Sequence, residues 1–203
     1  MAGTENARRH SRDDVARTAL RILDDHGLPD LTMRRLAAAL DVQPSALYWH
    51  FPNKQTLLAE IADRIVATAT HRAQSGETGS RARTEATALR DALLAYRDGA
   101  EVVSSTLALG LGSTTARDRL ADAIAADGFD ADIAHRAATA LLHFVLGHVS
   151  HEQQRMQYDS IGVVIPGASI SALPNEDAAT EFAFGVDLLI GGLELSRSRA
   201  QAL

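Results

Sequence analysis

The 203-residue chain has no cysteine, which excludes disulfides, thiol chemistry and cysteine-based zinc sites. No apolar run approaches the roughly 18–20 residues of a membrane span. The opening stretch Met1 to His10 lacks the apolar h-region of a signal peptide. A soluble, cytoplasmic protein with no membrane partner is therefore expected. Also missing are a nucleophile–base pair, a phosphate-cradling glycine loop and paired carboxylates with a recognisable role, so no enzymatic activity is expected. Aromatic residues are only 4% of the chain, which makes the close set Tyr48, Trp49 and Phe51 conspicuous. What is abundant is alanine, leucine and arginine, with apolar residues at helical spacing in nearly every segment. The expected fold is all-α, and the length suffices for one large domain or two small ones with a real core.

The first quarter has the most definite pattern. Ser11 and Asp14 form a capping-box pair, and Val15, Ala19, Ile22 and Leu23 make an inward stripe that stops at Gly27. Thr32 is a good N-cap for a second helix with Leu36, Ala37 and Leu40 facing in. Asp41 occupies a turn position that often needs a positive φ, which aspartate tolerates. Val42 plugs the angle between the helices, and Pro44 suits the first turn of a third helix running to about Phe51, before Pro52. Leu47 and Phe51 point inward, leaving Gln43, Pro44, Ser45, Ala46, Tyr48, Trp49 and His50 for the outer surface. Small residues and a proline there let the backbone approach base edges, and hydroxyls and amides can bond bases or phosphates. This is the shape of a helix-turn-helix DNA reader. The plainer alternative has Tyr48 and Trp49 packing against the next helix, which leaves the DNA reading intact.

Asn53 caps a fourth helix from Lys54 to about Arg72, with Leu57, Leu58, Ile61, Ile65 and Val66 inward. Lys54, at a helix N-terminus that itself favours anions, is placed for a phosphate. Residues 74–80 read as a flexible connector. The expected division is a helix-turn-helix domain over 1–72 with a flexible tail at 1–10, a linker at 73–80, and a second domain over 81–203. Residues 1–72 hold ten Lys/Arg against nine Asp/Glu, a net +1, and the remainder ten against seventeen, a net −7. The acidity thus lies behind the reading domain. Within that domain Arg8, Arg9, Arg12, Arg34, Arg35 and Lys54 are placed to face phosphates, while Asp24, Asp25 and Asp30 face away. So small a net charge implies weak non-specific binding and leaves affinity to a few placed contacts.

In the second domain, helices are separated by Asp98-Gly99, Gly110-Leu111-Gly112 and Asp127-Gly128. Asp130 caps a long helix to about Gln157 that is apolar on two faces: Ile133, Ala137, Leu141 and Phe144 on one, Leu142, Val145 and Val149 on another. The last helix behaves similarly, with Phe182, Val186, Leu189, Ile190 and Leu193 beside Gly185, Gly191 and Gly192. Such helices must be covered on both sides. Two per subunit suggest a four-helix interface in a homodimer; burial inside one subunit is the alternative. His135, His143, His148 and His151 lie on the first of them. His148 and His151 share a face and His143 lies two turns from His151, a spacing able to build a metal site. Lone histidines in a pocket or at a dimer seam are the commoner outcome. His151-Glu152 has no histidine three residues on, so the zinc-protease motif is absent.

The pattern Leu31-Thr32-x-Arg34-x-Leu36-Ala37, Leu40-x-Val42, Leu47-Tyr48-Trp49-His50, Asn53-Lys54 and Leu57-Leu58 resembles the tetracycline-repressor (TetR) family. The likeness continues through Arg90 to Ala100, His143-Phe144-x-Leu146-Gly147, Phe182-x-Phe184-Gly185, Leu188, Ile190 and Gly192-Leu193-Glu194. It covers almost the whole chain. It implies an N-terminal helix-turn-helix domain of three helices and a C-terminal helical domain for effector binding and dimerisation. The implied function is a homodimeric repressor of a palindromic operator in double-stranded DNA, released by a small-molecule effector that moves the fourth helix. The implied DNA-binding residues are Thr32, Arg34, Gln43, Pro44, Ser45, Ala46, Tyr48, Trp49, His50 and Lys54. Pro44-Ser45-Ala46 stands where tetracycline repressors have Gln-Pro-Thr, so the operator sequence does not transfer.

For the effector, the resemblance implies a pocket of Glu85, Leu89, Val103, Thr106, Leu120, His143, Gly147, His148 and His151. Thr106 and His143 match pocket residues of the tetracycline repressors. Val103 replaces their magnesium-ligating histidine, and His151 a glutamate that holds a metal-bound water. Glu85, Leu89 and Leu120 replace an asparagine, a phenylalanine and a glutamine that contact the drug. No metal or cofactor is therefore expected, and a magnesium–tetracycline chelate is disfavoured. Two alternatives remain: a metal-sensing repressor using His143, His148 and His151, and a helical enzyme carrying a DNA-targeting domain.

Overall fold

The computed structural model of the chain describes residues 10–69, 80–112, 114–160 and 175–201. Among these residues there are nine helices and no strand: α1 Arg12–His26, α2 Met33–Ala39, α3 Pro44–Leu47, α4 Lys54–Ala67, α5 Arg81–Leu94, α6 Gly99–Ala108, α7 Thr115–Ala126, α8 Ala131–Ser160 and α9 Asn175–Gln201. The tail at 1–9 and all but one residue of the 73–80 linker lie outside the described residues.

Local chemistry sets the helix ends. The Ser11 hydroxyl accepts from the Asp14 amide while the Asp14 carboxylate accepts from the Ser11 amide, a complete capping box. Hydrogen bonds from Ser11, with the Arg17 guanidinium beside them, hold the exposed Asp14 carboxyl down to about 2. Gly27 closes α1 with φ +84° and donates to Leu23 O at 2.7 Å. A Cβ there would sit 2.9 Å from Asp98 Oδ2, so both the backbone angle and the close approach require glycine. Thr32 caps α2 by accepting from the Arg35 amide at 3.1 Å. Asp41 has φ +54°, as the turn needs, and Pro44 opens α3.

Two helices are shorter than their periodicity suggests. Only Pro44–Leu47 of the third is α-helical; the amides of His50 and Phe51 both donate to Leu47 O at 2.9 Å, closing a turn. Pro52 then has no amide with which to prolong it. The fourth ends at Ala67, not near Arg72, as Thr68 Oγ1 donates back to Ile65 O at 2.7 Å. The expected helical residues 70–72 lie outside the described residues.

One buried cluster runs from Val15, Leu23, Leu36, Leu47 and Phe51 through Ile61 and Ile65 of α4 into Leu89, Val102, Leu120, Leu141 and Val145. α4 is the link, packing against α1 on one side and α5, α6 and α7 on the other. The buried stripe of α8 is Ala134, Ala138, Leu141, Leu142, Val145, Leu146 and Val149, whereas Ile133, on the other apolar face expected of this helix, is 42% exposed in the single subunit. Alanines on the packed side let α8 lie close along α7, and that rotation turns Ile133 out. Gly185 of α9 is similarly placed: a Cβ there would fall 2.2 Å from the Phe144 ring.

Polar staples fix the turns. Asp98, at φ +56°, accepts from the Leu28 amide at 2.7 Å and from the Gln157 side chain, tying the α5–α6 turn to the α1–α2 turn and to α8. Gln153 donates to Leu93 O at 3.0 Å and Tyr96 O at 2.8 Å, and accepts from the Ala100 amide at 3.2 Å. Asp127 caps α5, accepting from Ser80 Oγ at 2.6 Å and from the amides of Arg81 at 3.0 Å and Ala82 at 3.1 Å. Burial pushes its pKa up, but these hydrogen bonds outweigh burial and the net shift is downward. A carboxylate with a depressed folded-state pKa contributes stability above its unfolded value and loses it as pH falls through the folded one. Acidification below the ordinary aspartate value of 3.8 is therefore expected to loosen the start of α5. Hydrogen exchange at Arg81 and Ala82, compared between the parent and Asp127→Asn, checks this; identical pH profiles would refute it.

Candidate functional site

Leu47 and Phe51, each 1% exposed, seat α3 in the core of the head. Gln43, Pro44, Ser45 and Ala46 are exposed in front of them. Tyr48 is 50% and Trp49 90% exposed, so neither is covered by α4 and the packing alternative is not realised. Arg34 is exposed, His50 and Lys54 are half-buried, and the Thr32 hydroxyl serves as the α2 cap. The ten residues expected to meet DNA thus fall at α2, α3 and the start of α4. That surface presents hydroxyl, amide, aromatic and cationic groups on a short helix held from behind.

Two of the cations placed to face phosphates also have acidic neighbours. Arg12 pairs with Glu60 at 3.0 Å and lies 4.6 Å over the Phe51 ring. Arg35 pairs with Asp30 at 2.5 Å, so Asp30 is not turned away as a free anion. Both arginines have acidic partners within the chain, which periodicity cannot show. Arg34 and Lys54, the chain's single lysine, are the other described cations of that set. Arg8 and Arg9 lie outside the described residues.

In the second half, Glu85 and Leu89 of α5, Val103 and Thr106 of α6 and Leu120 of α7 are all buried. Thr106 Oγ1 lies 2.9 Å from Val103 O and 3.1 Å from Val102 O, within its own helix. Glu85 pairs with Arg119 at 2.6 Å. The α8 residues divide. His143, Gly147 and His151 form one exposed stripe at four-residue spacing. His148 instead faces α9, its ring 3.1 Å from Ala178 O and set 5.7 Å from the Phe144 ring and 5.4 Å from that of Phe182. The three histidines of the metal-sensing alternative therefore do not converge, and among the described residues no three His, Asp or Glu side chains are grouped as metal ligands. Arg119, Asp98, Gln153 and the Arg90–Glu152 pair escaped the sequence pattern. Their partners lie tens of residues away, and only the Asp-Gly turn at 98–99 carried any local signal.

Among the described residues no helix is long and apolar enough to cross a membrane. Residues 16–61 match the family model of bacterial regulatory proteins of the tetR family, and residues 73–162 match the tetracyclin repressor-like C-terminal domain. The class C tetracycline repressor protein of Escherichia coli is 37% identical, covering 92% of this chain and 91% of that one. The crystal structure of Mycobacterium smegmatis BioQ is 40% identical with a TM-score of 0.75, covering 91% of this chain and 97% of that one. A structure of BioQ with its natural double-stranded DNA operator is 39% identical with a TM-score of 0.73, covering 91% and 98%. Repressors of this kind bind operator DNA as homodimers and take a small-molecule effector. The chain belongs to the TetR family and is a DNA-binding transcriptional repressor, not an enzyme.

Proposed function

We propose that the protein is a cytoplasmic homodimer that represses transcription from a palindromic operator and is released by an organic effector bound among α5–α8. The observation that carries this reading is the reading face from Gln43 to Trp49, uncovered in front of a core continuous with the buried set Leu89, Val103 and Leu120. Dimerisation is supported by α9, whose Phe184, Leu188 and Leu195 make an apolar stripe that is 64%, 61% and 65% exposed. The stripe of His143, Gly147 and His151 on α8 joins the effector site when a second subunit covers it, with His148 behind it.

The link to DNA runs through the α6–α7 turn. A Cβ on Gly112 would touch Asp63 and Ala59 of α4 and Thr106 of α6 at 3.6–3.8 Å. A ligand that displaces Thr106 therefore moves what α4 rests on. To act, it must favour the DNA-incompetent arrangement. The tetracycline repressors share the fold, but Val103 offers no atom to a metal. Leu89 and Leu120 offer no partner to polar drug groups, each of which would cost about 1–3 kcal/mol if left unpaired. A magnesium–tetracycline chelate is accordingly not the effector.

Selection from random duplexes should return a palindrome with half-sites about one helical turn apart. Arg34→Ala should weaken binding by about 1–3 kcal/mol and relax preference at one position. The selected duplex should also protect Lys54 from an amine-reactive label. Recovery of no palindrome would sink the reading.

A further inference from the structure

Gln43 stands just before α3, exposed, with an extended backbone at φ −71° and ψ 142°. Its carbonyl accepts from the Ala46 amide at 2.9 Å. The chain leading into it is closed by the Asp41 amide on Ala38 O at 3.2 Å and the Val42 amide on Ala37 O at 3.0 Å. Leu47, 1% exposed, pins the following turn to the core. The backbone that carries this side chain is therefore fixed on both sides. A polar residue in such a place commonly folds its side chain back onto the amides of the helix it opens. Gln43 makes no such bond, so the cap does not use its carboxamide.

The neighbouring side chains on this face offer less. Pro44 and Ala46 have no polar side-chain atom, and the Ser45 hydroxyl, which donates or accepts as required, suits any base. From 43 to 46, Gln43 alone holds a donor and an acceptor side by side in one plane. In the major groove adenine presents the complementary edge, with N7 accepting and the N6 amine donating. Guanine presents two acceptors, which sets the carboxamide oxygen against an acceptor. Cytosine presents a donor alone, and thymine an acceptor beside a methyl group. A phosphate offers acceptors only and leaves the same oxygen unused.

We propose that Gln43 is the adenine reader of the operator half-site, its Nε2 donating to adenine N7 and its Oε1 accepting from the N6 amine. Selectivity at that base pair is carried by a turn residue whose backbone is set before DNA arrives. This rests on the repressor reading above and adds the base that one named residue selects.

The test uses the full-length protein and duplexes selected from a random pool, with affinity read by fluorescence anisotropy. The parent should select a palindrome with an A·T pair in each half-site at which Gln43→Ala loses preference. At that pair the parent should discriminate against the other three by about fivefold or more, and Gln43→Ala by less than about twofold. Gln43→Glu, an acceptor only, should turn the preference to cytosine, whose N4 amine donates. Replacing the adenine by 7-deazaadenine, which keeps Watson–Crick pairing and lacks N7, should weaken the parent by about threefold or more and Gln43→Ala by less than about twofold. Each comparison sets two duplexes against one protein, so a change in the stability of a variant cancels. Equal weakening of every duplex by Gln43→Ala would make the residue a phosphate contact and overturn the assignment. So would no change of preference at any pair, a preference lost at a pair other than A·T, retained adenine preference in Gln43→Glu, or undiminished affinity of the parent for the 7-deaza duplex. A parent that selects no palindrome overturns the proposal together with the repressor reading.

Discussion

Glu152→Ala is expected to cost about 3–5 kcal/mol, because it leaves the buried Arg90 guanidinium with the solvent-exposed Asp91 carboxylate, 3.8 Å away, in place of its enclosed partner. The pair is the most enclosed ion pair described, with side chains 11% and 7% exposed and contacts of 2.7, 3.0 and 3.2 Å between one guanidinium and one carboxylate. It joins α5 to α8, and Arg90 also lies 5.4 Å over the Phe182 ring of α9. A loss of this size is a large share of the 5–15 kcal/mol by which native proteins are typically stable. Denaturant unfolding at fixed protein concentration measures it, since stability of a dimer depends on concentration. The double replacement Arg90→Met with Glu152→Leu should recover most of the loss, because a well-packed apolar pair removes both desolvation costs. A single variant within 1 kcal/mol of the parent would show that water reaches the guanidinium in solution.

The parts legible in the sequence are those fixed by neighbours along the chain. The Ser11–Asp14 box, the Thr32 and Asn53 caps, the turn at Asp41 and the proline at the head of α3 depend on residues within a few positions of one another. The exposure of Tyr48 and Trp49 was legible for the same reason: with Leu47 and Phe51 turned in, helical geometry leaves them out. Side-chain partnership across the fold was not legible. Arg12 meets Glu60 48 residues on, and Arg119 reaches back 50 residues to Ala69. Nor does helical spacing fix the rotation of a helix that is apolar on two sides. His143, His148 and His151 share α8, yet packing against α9 claims only His148.

Leu188→Glu is expected to abolish tight operator binding without unfolding the subunit. Leu188 is 61% exposed in the single chain, so a glutamate there stays hydrated in an isolated subunit and costs it little. In a dimer closed over the α9 stripe the same carboxylate would be buried unpaired and would face its symmetry mate, because a two-fold interface repeats every substitution. Dissociation is the outcome, visible by light scattering as a halved mass. A palindrome is held by two heads linked in one body, and loss of that linkage removes about 10²–10⁴ in avidity. Binding to an isolated half-site should be unchanged, since Gln43, Tyr48, Trp49 and Lys54 are not touched. That contrast separates a lost partner from a damaged reader. If the variant stayed dimeric and bound its operator normally, the exposed stripe of Phe184, Leu188 and Leu195 would not be where two subunits meet.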